Sequence, residues 1–371
     1  MILQLFRAQP ERKMRRAPAI AFAGGGTGGH LFPAIALADE LRRRWPDARV
    51  TFLCTQRPID ANILSRTRFE WRAMPAPRWV GFTGLVGGFV PESWSAFRAA
   101  WTELRSFHAD VVVGVGGYGS VPAVLAAKAL GIPVVLLEQN AKVGRANQFL
   151  ARFSKLVCCQ WREAVRAVPG GVFTGNPIRA MDRDVSAKAA LGLDPRKPTL
   201  GILGGSLGAR AVNEFFRSRA ERMRDWNVLH ATGEADWPRV EGAYRFQRLT
   251  HWTTPFCDRM DTFYGAADLV VCRAGGTTIA EATALGVPLA LVPLPNSAHG
   301  HQQANAQAAE RAGAAIHFPE SALDDAAFDR IERLLRDRTR LARMSSAGWE
   351  LGNAVAAQVV MRKVEGILQE A

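Results

Sequence analysis

No apolar run in the 371-residue sequence approaches the roughly 18–20 residues that a membrane-spanning helix needs, which excludes a helical integral membrane protein. Cysteine is scarce: Cys54, Cys158, Cys159, Cys257 and Cys272 make an odd set of five, with no CxxC pair and no Cys/His spacing. A zinc site and a disulfide scaffold are excluded with them, and the five read as small core residues in a reducing compartment. An export signal is missing as well. The short apolar start at Met1, Ile2 and Leu3 precedes its charges, Arg7, Arg12, Lys13, Arg15 and Arg16, where a signal peptide puts charge first. The expectation is a basic arm ahead of the fold of an intracellular protein.

Acidic residues are sparse only in one half. Residues 1–176 hold 23 Lys and Arg against 11 Asp and Glu, and residues 177–371 hold 24 against 23. An Arg-rich genome would raise both halves equally. A surface for an anionic partner, lipid or nucleic acid, explains the imbalance better. The length and the 48% hydrophobic content suit two globular domains, each with its own core.

Short apolar runs alternate with helical patterns in both halves. Strands are expected at 19–23, 50–54, 110–115, 133–137 and 156–159, with helices at 32–44 and 121–130. The pattern restarts with strands at 199–203, 227–230, 269–272 and 289–293 and helices at 209–222, 277–285 and 302–312. Strand, glycine turn and helix in repetition specify an α/β fold of doubly wound parallel sheets. The turn-forming Gly175-Asn176-Pro177 marks the expected boundary, with domains at 18–177 and 178–350. A final helix near 352–370 is free to cap either domain.

Three glycine loops follow strands. The first is Gly24-Gly25-Gly26-Thr27-Gly28-Gly29-His30, the second Gly114-Val115-Gly116-Gly117-Tyr118-Gly119-Ser120, and the third Gly204-Gly205-Ser206-Leu207-Gly208. Glycine lets the backbone approach a ligand, and the helix start behind it offers free N–H groups to an anion. The first loop satisfies GxGxxG, the dinucleotide fingerprint. The next strand ends in Cys54-Thr55-Gln56-Arg57, however, with no carboxylate for an NAD ribose; Arg57 leaves an NADP reading open. His30 is either an ordinary helix-start histidine or a general base at a ligand cleft. Three such loops at the ends of parallel strands point to one cleft that holds a diphosphate on one wall and a second anionic substrate on the other.

These runs, with Glu138-Gln139-Asn140, Gly175-Asn176-Pro177-Ile178-Arg179, Asn213 and Arg273-Ala274-Gly275-Gly276-Thr277-Thr278-Ile279-Ala280-Glu281, resemble the MurG family of peptidoglycan glycosyltransferases over residues 18–315. The resemblance implies the GT-B fold, two Rossmann-like domains with the active site between them. It implies an inverting transfer of N-acetylglucosamine from UDP-N-acetylglucosamine to the 4-hydroxyl of the muramyl sugar of lipid I, giving lipid II. It implies no metal and no cofactor, and the sequence has no DxD-like pair at a strand end. Other GT-B enzymes, such as a glycolipid glycosyltransferase or a UDP-sugar epimerase, and a non-catalytic sugar-nucleotide-binding subunit are the alternatives.

Carried over residue by residue, the resemblance makes His30 the catalytic base. It assigns the donor to Thr27, Gly28, Gly29, Asn140, Arg179, Ser206, Cys257 through its backbone, Gly276, Thr277, Thr278, Ile279, Ala280, Glu281 and Gln302. Glu281 would hold the ribose hydroxyls; on position alone it is a first-turn glutamate complementing the helix dipole. Gln303 is an alternative to Gln302, because the segment 295–303 is slightly lengthened. His299 and His301 have no third ligand in view for a metal. The diphosphate of the lipid-linked acceptor is expected at the first-domain loops around Thr27–His30 and Gly116–Ser120, with Gly116, Gly117, Tyr118 and Ser120 as the acceptor contacts.

Between residues 71 and 101, Trp71, Trp79, Phe82, Phe89, Trp94, Phe97 and Trp101 are interleaved with Arg72, Arg78 and Arg98. Gly81, Gly84, Gly87, Gly88 and Pro91 argue against a long helix before Glu92. The expectation is a loop and short helix dipping into a lipid interface, with arginines on anionic lipid. A core wrapped by a long loop is the plain alternative. Nucleic acid is not expected, since no recognised module accompanies the cluster. The chain would sit peripherally on the cytoplasmic face of the bacterial cell membrane.

Overall fold

The strand at the start of the fold, AIAFAG, is apolar on both faces and buried at every position. Such a strand needs helices on both sides of its sheet and parallel neighbours, and it has them. The computed structural model describes residues 16–75, 89–184, 186–204 and 208–370, with backbone only at 89–91 and 298. Seven parallel strands make the first sheet: β1 (Ala19–Gly24), β2 (Arg49–Cys54), β3 (Glu70–Ala73), β4 (Val111–Gly116), β5 (Val134–Glu138), β6 (Leu156–Cys159) and β7 (Gly171–Phe173), in the order β3-β2-β1-β4-β5-β6-β7. Six make the second: β8 (Thr199–Leu203), β9 (Asn227–Ala231), β10 (Thr250–Thr254), β11 (Leu269–Cys272), β12 (Leu289–Leu291) and β13 (Ala315–His317), in the order β10-β9-β8-β11-β12-β13.

Both sheets reverse their strand order once, between β1 and β4 and between β8 and β11. Loops leaving the carboxyl ends of such a strand pair diverge and open a crevice, the place where α/β sheets bind ligands. The first and second glycine loops leave β1 and β4, and the third leaves β8. Each expected strand is present. The four that the apolar pattern did not announce, β3, β7, β10 and β13, are the four sheet edges.

The last helix, Ala356–Glu370, packs back on the first sheet's layer. Val360, Met361 and Val364 join the core around Ile20, Phe22, Leu37 and Leu41, and Glu365 pairs with Arg44. All five cysteines are buried thiols, and burial pushes Cys158 and Cys272 up to about 12.

The aromatic segment differs from its expectation. Residues 76–88, which include Trp79 and Phe82, lie outside the described residues. The helix after them is Phe89–Phe107, nineteen residues rather than a short one. Pro91 sits in its first turn, where a missing N–H costs nothing. Its residues divide between the two readings. Ala96, Ala100 and Leu104 are buried and Phe97 and Trp101 pack on the core, while Trp94 is 60% exposed.

Candidate active site

Between the two sheets lies a cleft of about 1470 Å³, lined by residues of both. That exceeds the usual volume for one small ligand and leaves room for two substrates. Helix Gly28–Arg44 begins inside the first glycine loop, so His30 stands in its first turn, half-buried on the cleft wall. Its Nδ1 lies 3.1 Å from the Gly25 carbonyl oxygen. A carbonyl only accepts, so Nδ1 carries the proton and Nε2 keeps a free lone pair. Burial holds the imidazole below its ordinary pKa, against the opposing pull of the Gly25 carbonyl.

The second loop is shaped around this ring. A Cβ on Gly116, at φ 101°, would lie 3.1–3.2 Å from His30 Cδ2 and Nε2, and one on Gly117, at φ 76°, 3.4 Å from Cε1 and Nδ1. The positive φ values and the missing side chains are thus both required. Tyr118 lines the cleft and is exposed. Ser120 does not line it: buried, it donates to the Gly117 carbonyl at 2.8 Å and holds the loop.

Two carboxylates fix the first-domain wall: Asp60, which belongs to none of the matched runs, and Glu138, which was in one but had no role assigned. Asp60 is fully buried and accepts from Gly26 N (2.7 and 2.9 Å), Thr55 N (2.9 Å) and Thr55 Oγ1 (2.7 Å). It closes the first loop from behind. Alanine at 60 would orphan three donors, the two on Thr55 buried and the one on Gly26 partly so, and is expected to cost about 2–4 kcal/mol of stability, read by urea unfolding. A loss under about 0.5 kcal/mol would mean that water replaces the carboxylate there. Glu138 ends β5 and accepts from Asn140 N (2.9 Å), Asn140 Nδ2 (3.2 Å), Gly144 N (3.0 Å) and Asn147 Nδ2 (2.9 Å). The segment after β5 is folded over this one buried carboxylate, and a residue closing an apolar strand at its carboxyl end was the signal that pointed to it.

On the opposite wall, helix Gly276–Ala284 starts after β11. Gly276, Thr277, Thr278 and Glu281 line the cleft. Ile279 and Ala280 do not: helical periodicity turns them into the second domain, where both are buried. Glu281 is buried, and desolvation raises its pKa, opposed by Arg179 at 3.8 Å and by the Tyr264 hydroxyl, which donates at 3.4 Å. Arg179 also stacks on the Phe32 ring at 5.4 Å, so it bridges the two walls.

Cys257 and Gln302 line the same wall. Gln302 accepts from Leu294 N at 2.9 Å, whereas Gln303 turns toward His317. Ser206 lies outside the described residues. Gly204 and Gly208, on either side of it, line the cleft, and a Cβ at Gly208 would sit 2.6 Å from the Thr232 carbonyl oxygen. Asn213 holds that carbonyl through Nδ2 at 2.8 Å, a supporting role behind the wall.

The walls are stitched at one seam. Thr277 Oγ1 donates to the Gly29 carbonyl at 2.9 Å, one residue before His30, and Gln160 Nε2 donates to the Gly276 carbonyl at 3.0 Å. Asn305, fully buried, accepts from Ala141 N at 2.8 Å and donates to Asn140 Oδ1 at 3.1 Å and the Ala274 carbonyl at 3.0 Å. The base candidate, Asn140 and the Glu281 helix are thereby held in one frame.

Two parallel-sheet domains around one cleft, with a histidine on one wall and a carboxylate on the other, have the GT-B architecture. Residues 20–159 match the glycosyltransferase family 28 N-terminal domain, and residues 199–360 match the family 28 C-terminal domain. The chain belongs to the family of UDP-N-acetylglucosamine–N-acetylmuramyl-(pentapeptide) pyrophosphoryl-undecaprenol N-acetylglucosamine transferases. It is 37% identical to such a transferase from Chlorobaculum tepidum, covering 93% of this chain and 98% of the relative. It is also 37% identical to one from Syntrophotalea carbinolica, covering 92% and 97%. Among solved structures it is similar to MurG of Acinetobacter baumannii, with a TM-score of 0.76 and 28% identity over 94% of this chain and 99% of that one.

Proposed function

We propose that the chain transfers N-acetylglucosamine from UDP-N-acetylglucosamine to the 4-hydroxyl of the muramyl sugar of lipid I, with inversion, giving lipid II for peptidoglycan. The observation that carries this reading is the 3.1 Å contact of His30 Nδ1 with the Gly25 carbonyl, which leaves Nε2 as the accepting nitrogen, in the same cleft as Glu281. Nε2 takes the proton of the 4-hydroxyl as its oxygen attacks C1 of the donor sugar. The bond from C1 to the diphosphate breaks, and UDP leaves. Donor binding falls to the second-domain wall: Glu281 accepts the ribose hydroxyls, the Cys257 backbone meets the uracil, and the segment Gly276–Glu281 with Ser206 and Arg179 holds the diphosphate and its growing charge. Thr27, Gly28, Gly29, Asn140 and Gln302 border the donor sugar. The acceptor sugar lies against Gly116, Gly117 and Tyr118. No metal and no cofactor enters these steps.

Label transfer from radiolabelled UDP-N-acetylglucosamine to purified lipid I tests the reading. Lipid II as product supports it. UDP binding without transfer, or 2-epimerisation of the donor, would replace it with one of its alternatives.

The acceptor is a lipid, so the first domain is read as the membrane-facing one, peripheral on the cytoplasmic face and free of nucleic acid. No helix among the described residues is long and apolar enough to cross a membrane. Trp94 and Phe149 are exposed on helices of one layer, and the basic excess lies in residues 1–176. Vesicles rich in anionic lipid are expected to sediment the chain at low ionic strength and to release most of it at about 0.5 M salt, where screening is nearly complete. Equal retention on neutral vesicles would rule out the electrostatic part.

A further inference from the structure

Two carboxylates line the cleft, and both are already satisfied: Glu281 faces Arg179, and Glu138 accepts four N–H bonds. Among the cations, Arg273 pairs with Glu320, and Arg57 donates to the Gly26 carbonyl at 3.2 Å. Three other exposed cations line the cleft, Arg210, Lys142 and Arg145; like Arg57 they have no ion pair among the described residues, and unlike it they donate no side-chain hydrogen bond there. Arg210 opens the helix behind the third glycine loop, on the donor wall. Lys142 and Arg145 stand on the opposite wall, in and just after the segment folded over Glu138.

That segment is rigid for a loop. Its backbone N–H groups at Asn140 and Gly144 are held by Glu138, and the one at Ala141 by Asn305 across the seam. The two cations therefore project from a pre-organised backbone, and little ordering is left to oppose binding. Helix Arg145–Leu150 then fixes a direction. Arg145 and Phe149 are four residues apart, hence on one helix face. Arg145 lines the cleft and Phe149 is 43% exposed. One turn of helix leads from the cleft to an outer aromatic residue, in the same layer as Trp94.

We propose that Lys142 and Arg145 supply the cations for the diphosphate of the lipid-linked acceptor, beside the first-domain glycine loops expected to take it, between an aromatic face that takes the lipid chain and the His30 loop that takes the sugar. The inference rests on the transferase reading above and deepens it. A guanidinium and an ammonium on neighbouring positions suit a diphosphate, one in two-point contact and the other as a compact charge. A cleft serving two diphosphate substrates thus carries unpaired cations on each wall.

The test is the double variant Lys142→Gln, Arg145→Gln, assayed in detergent with two short-chain acceptors. One carries the lipid diphosphate, muramyl sugar and peptide, the other the lipid diphosphate and muramyl sugar alone. The expected result is an acceptor KM raised about tenfold or more with both acceptors, consistent with losing charge-assisted contacts. The donor KM and kcat should stay within about threefold, and the melting temperature should be unchanged, since both side chains are exposed. An unchanged acceptor KM overturns the inference while leaving the transferase reading standing. A loss confined to the peptide-bearing acceptor also overturns it, because the cations then read peptide carboxylates. A parent chain that transfers to neither acceptor removes the inference and the reading together.

Discussion

Replacing His30 by alanine is expected to lower kcat by about 10²–10⁴-fold, the usual worth of a positioned base, with UDP affinity kept within about threefold. The separation follows from the architecture. His30 belongs to the first-domain wall, while Arg179 and Glu281 pair on the other side of the cleft. Alanine alone does not distinguish a base from a residue that merely ties the loop, because it also removes the bond to the Gly25 carbonyl. Asparagine does. Its side-chain N–H can occupy the place of Nδ1 and keep the loop bond, but it offers no acceptor at Nε2. A base predicts that His30→Asn is nearly as slow as His30→Ala. Recovery of most of the parental rate in His30→Asn would make the histidine a loop tie and assign the proton elsewhere.

The pH profile gives a second reading of the same group. Protonating Nε2 removes the lone pair, so activity falls as pH drops through the His30 pKa. Desolvation holds that pKa down, the Gly25 bond and the more distant Glu138 and Asp60 raise it, and His301 lowers it. The net direction is downward, so the acid limb of kcat/KM is expected below the ordinary histidine value of about 6.5. A limb at or above that value would contradict the burial of the ring.

What the sequence disclosed and what it hid divide along physical lines. Central strands such as β1, β4 and β11 are covered on both faces, so their apolar runs are continuous and stand out. The edge strands are β3 (EWRA), β7 (GVF), β10 (THWTT) and β13 (AIH). They are short or partly exposed, and with one neighbour each they need no such pattern. The glycine loops were legible because a close approach leaves no substitute for glycine. The carboxylates behind them were not. Asp60 follows Pro58 in a first turn, where an acidic residue normally complements the helix dipole. Its four bonds reach back to Thr55 and Gly26, a closure that no local spacing encodes. Asn305 is likewise an unremarkable helix residue until the second domain is laid against the first.

That seam supports the other large expectation. Gly276 carries no side chain because a Cβ there would lie within bonding overlap of the Gln139 carbonyl oxygen, 3.0 Å from its carbon and 3.2 Å from the Gln139 Cβ. The obstacle is backbone, itself held by Trp161 Nε1 at 3.1 Å, so it cannot swing aside as a flexible side chain would. Gly276→Ala must therefore push helix Gly276–Ala284 off the first domain. The helix carries Thr277, whose hydroxyl is bonded to the Gly29 carbonyl, and Glu281, so the donor wall would shift against His30. A displacement of about 1 Å between reacting groups costs on the order of 10²-fold, and kcat/KM for the transfer is expected to fall by at least that much. UDP binding should change less, because Glu281, Tyr264 and Arg179 move together with the helix or stay beside it. Gly242→Ala is the matched control. It lies within helix Trp237–Phe246 with nothing near its Cβ, and there alanine should leave activity intact and add roughly 0.5–1 kcal/mol of stability. Parental kcat/KM in Gly276→Ala would mean that the two walls do not have to keep this spacing for transfer, and the framing role assigned to the Gly29, Gln160 and Asn305 contacts would go with it.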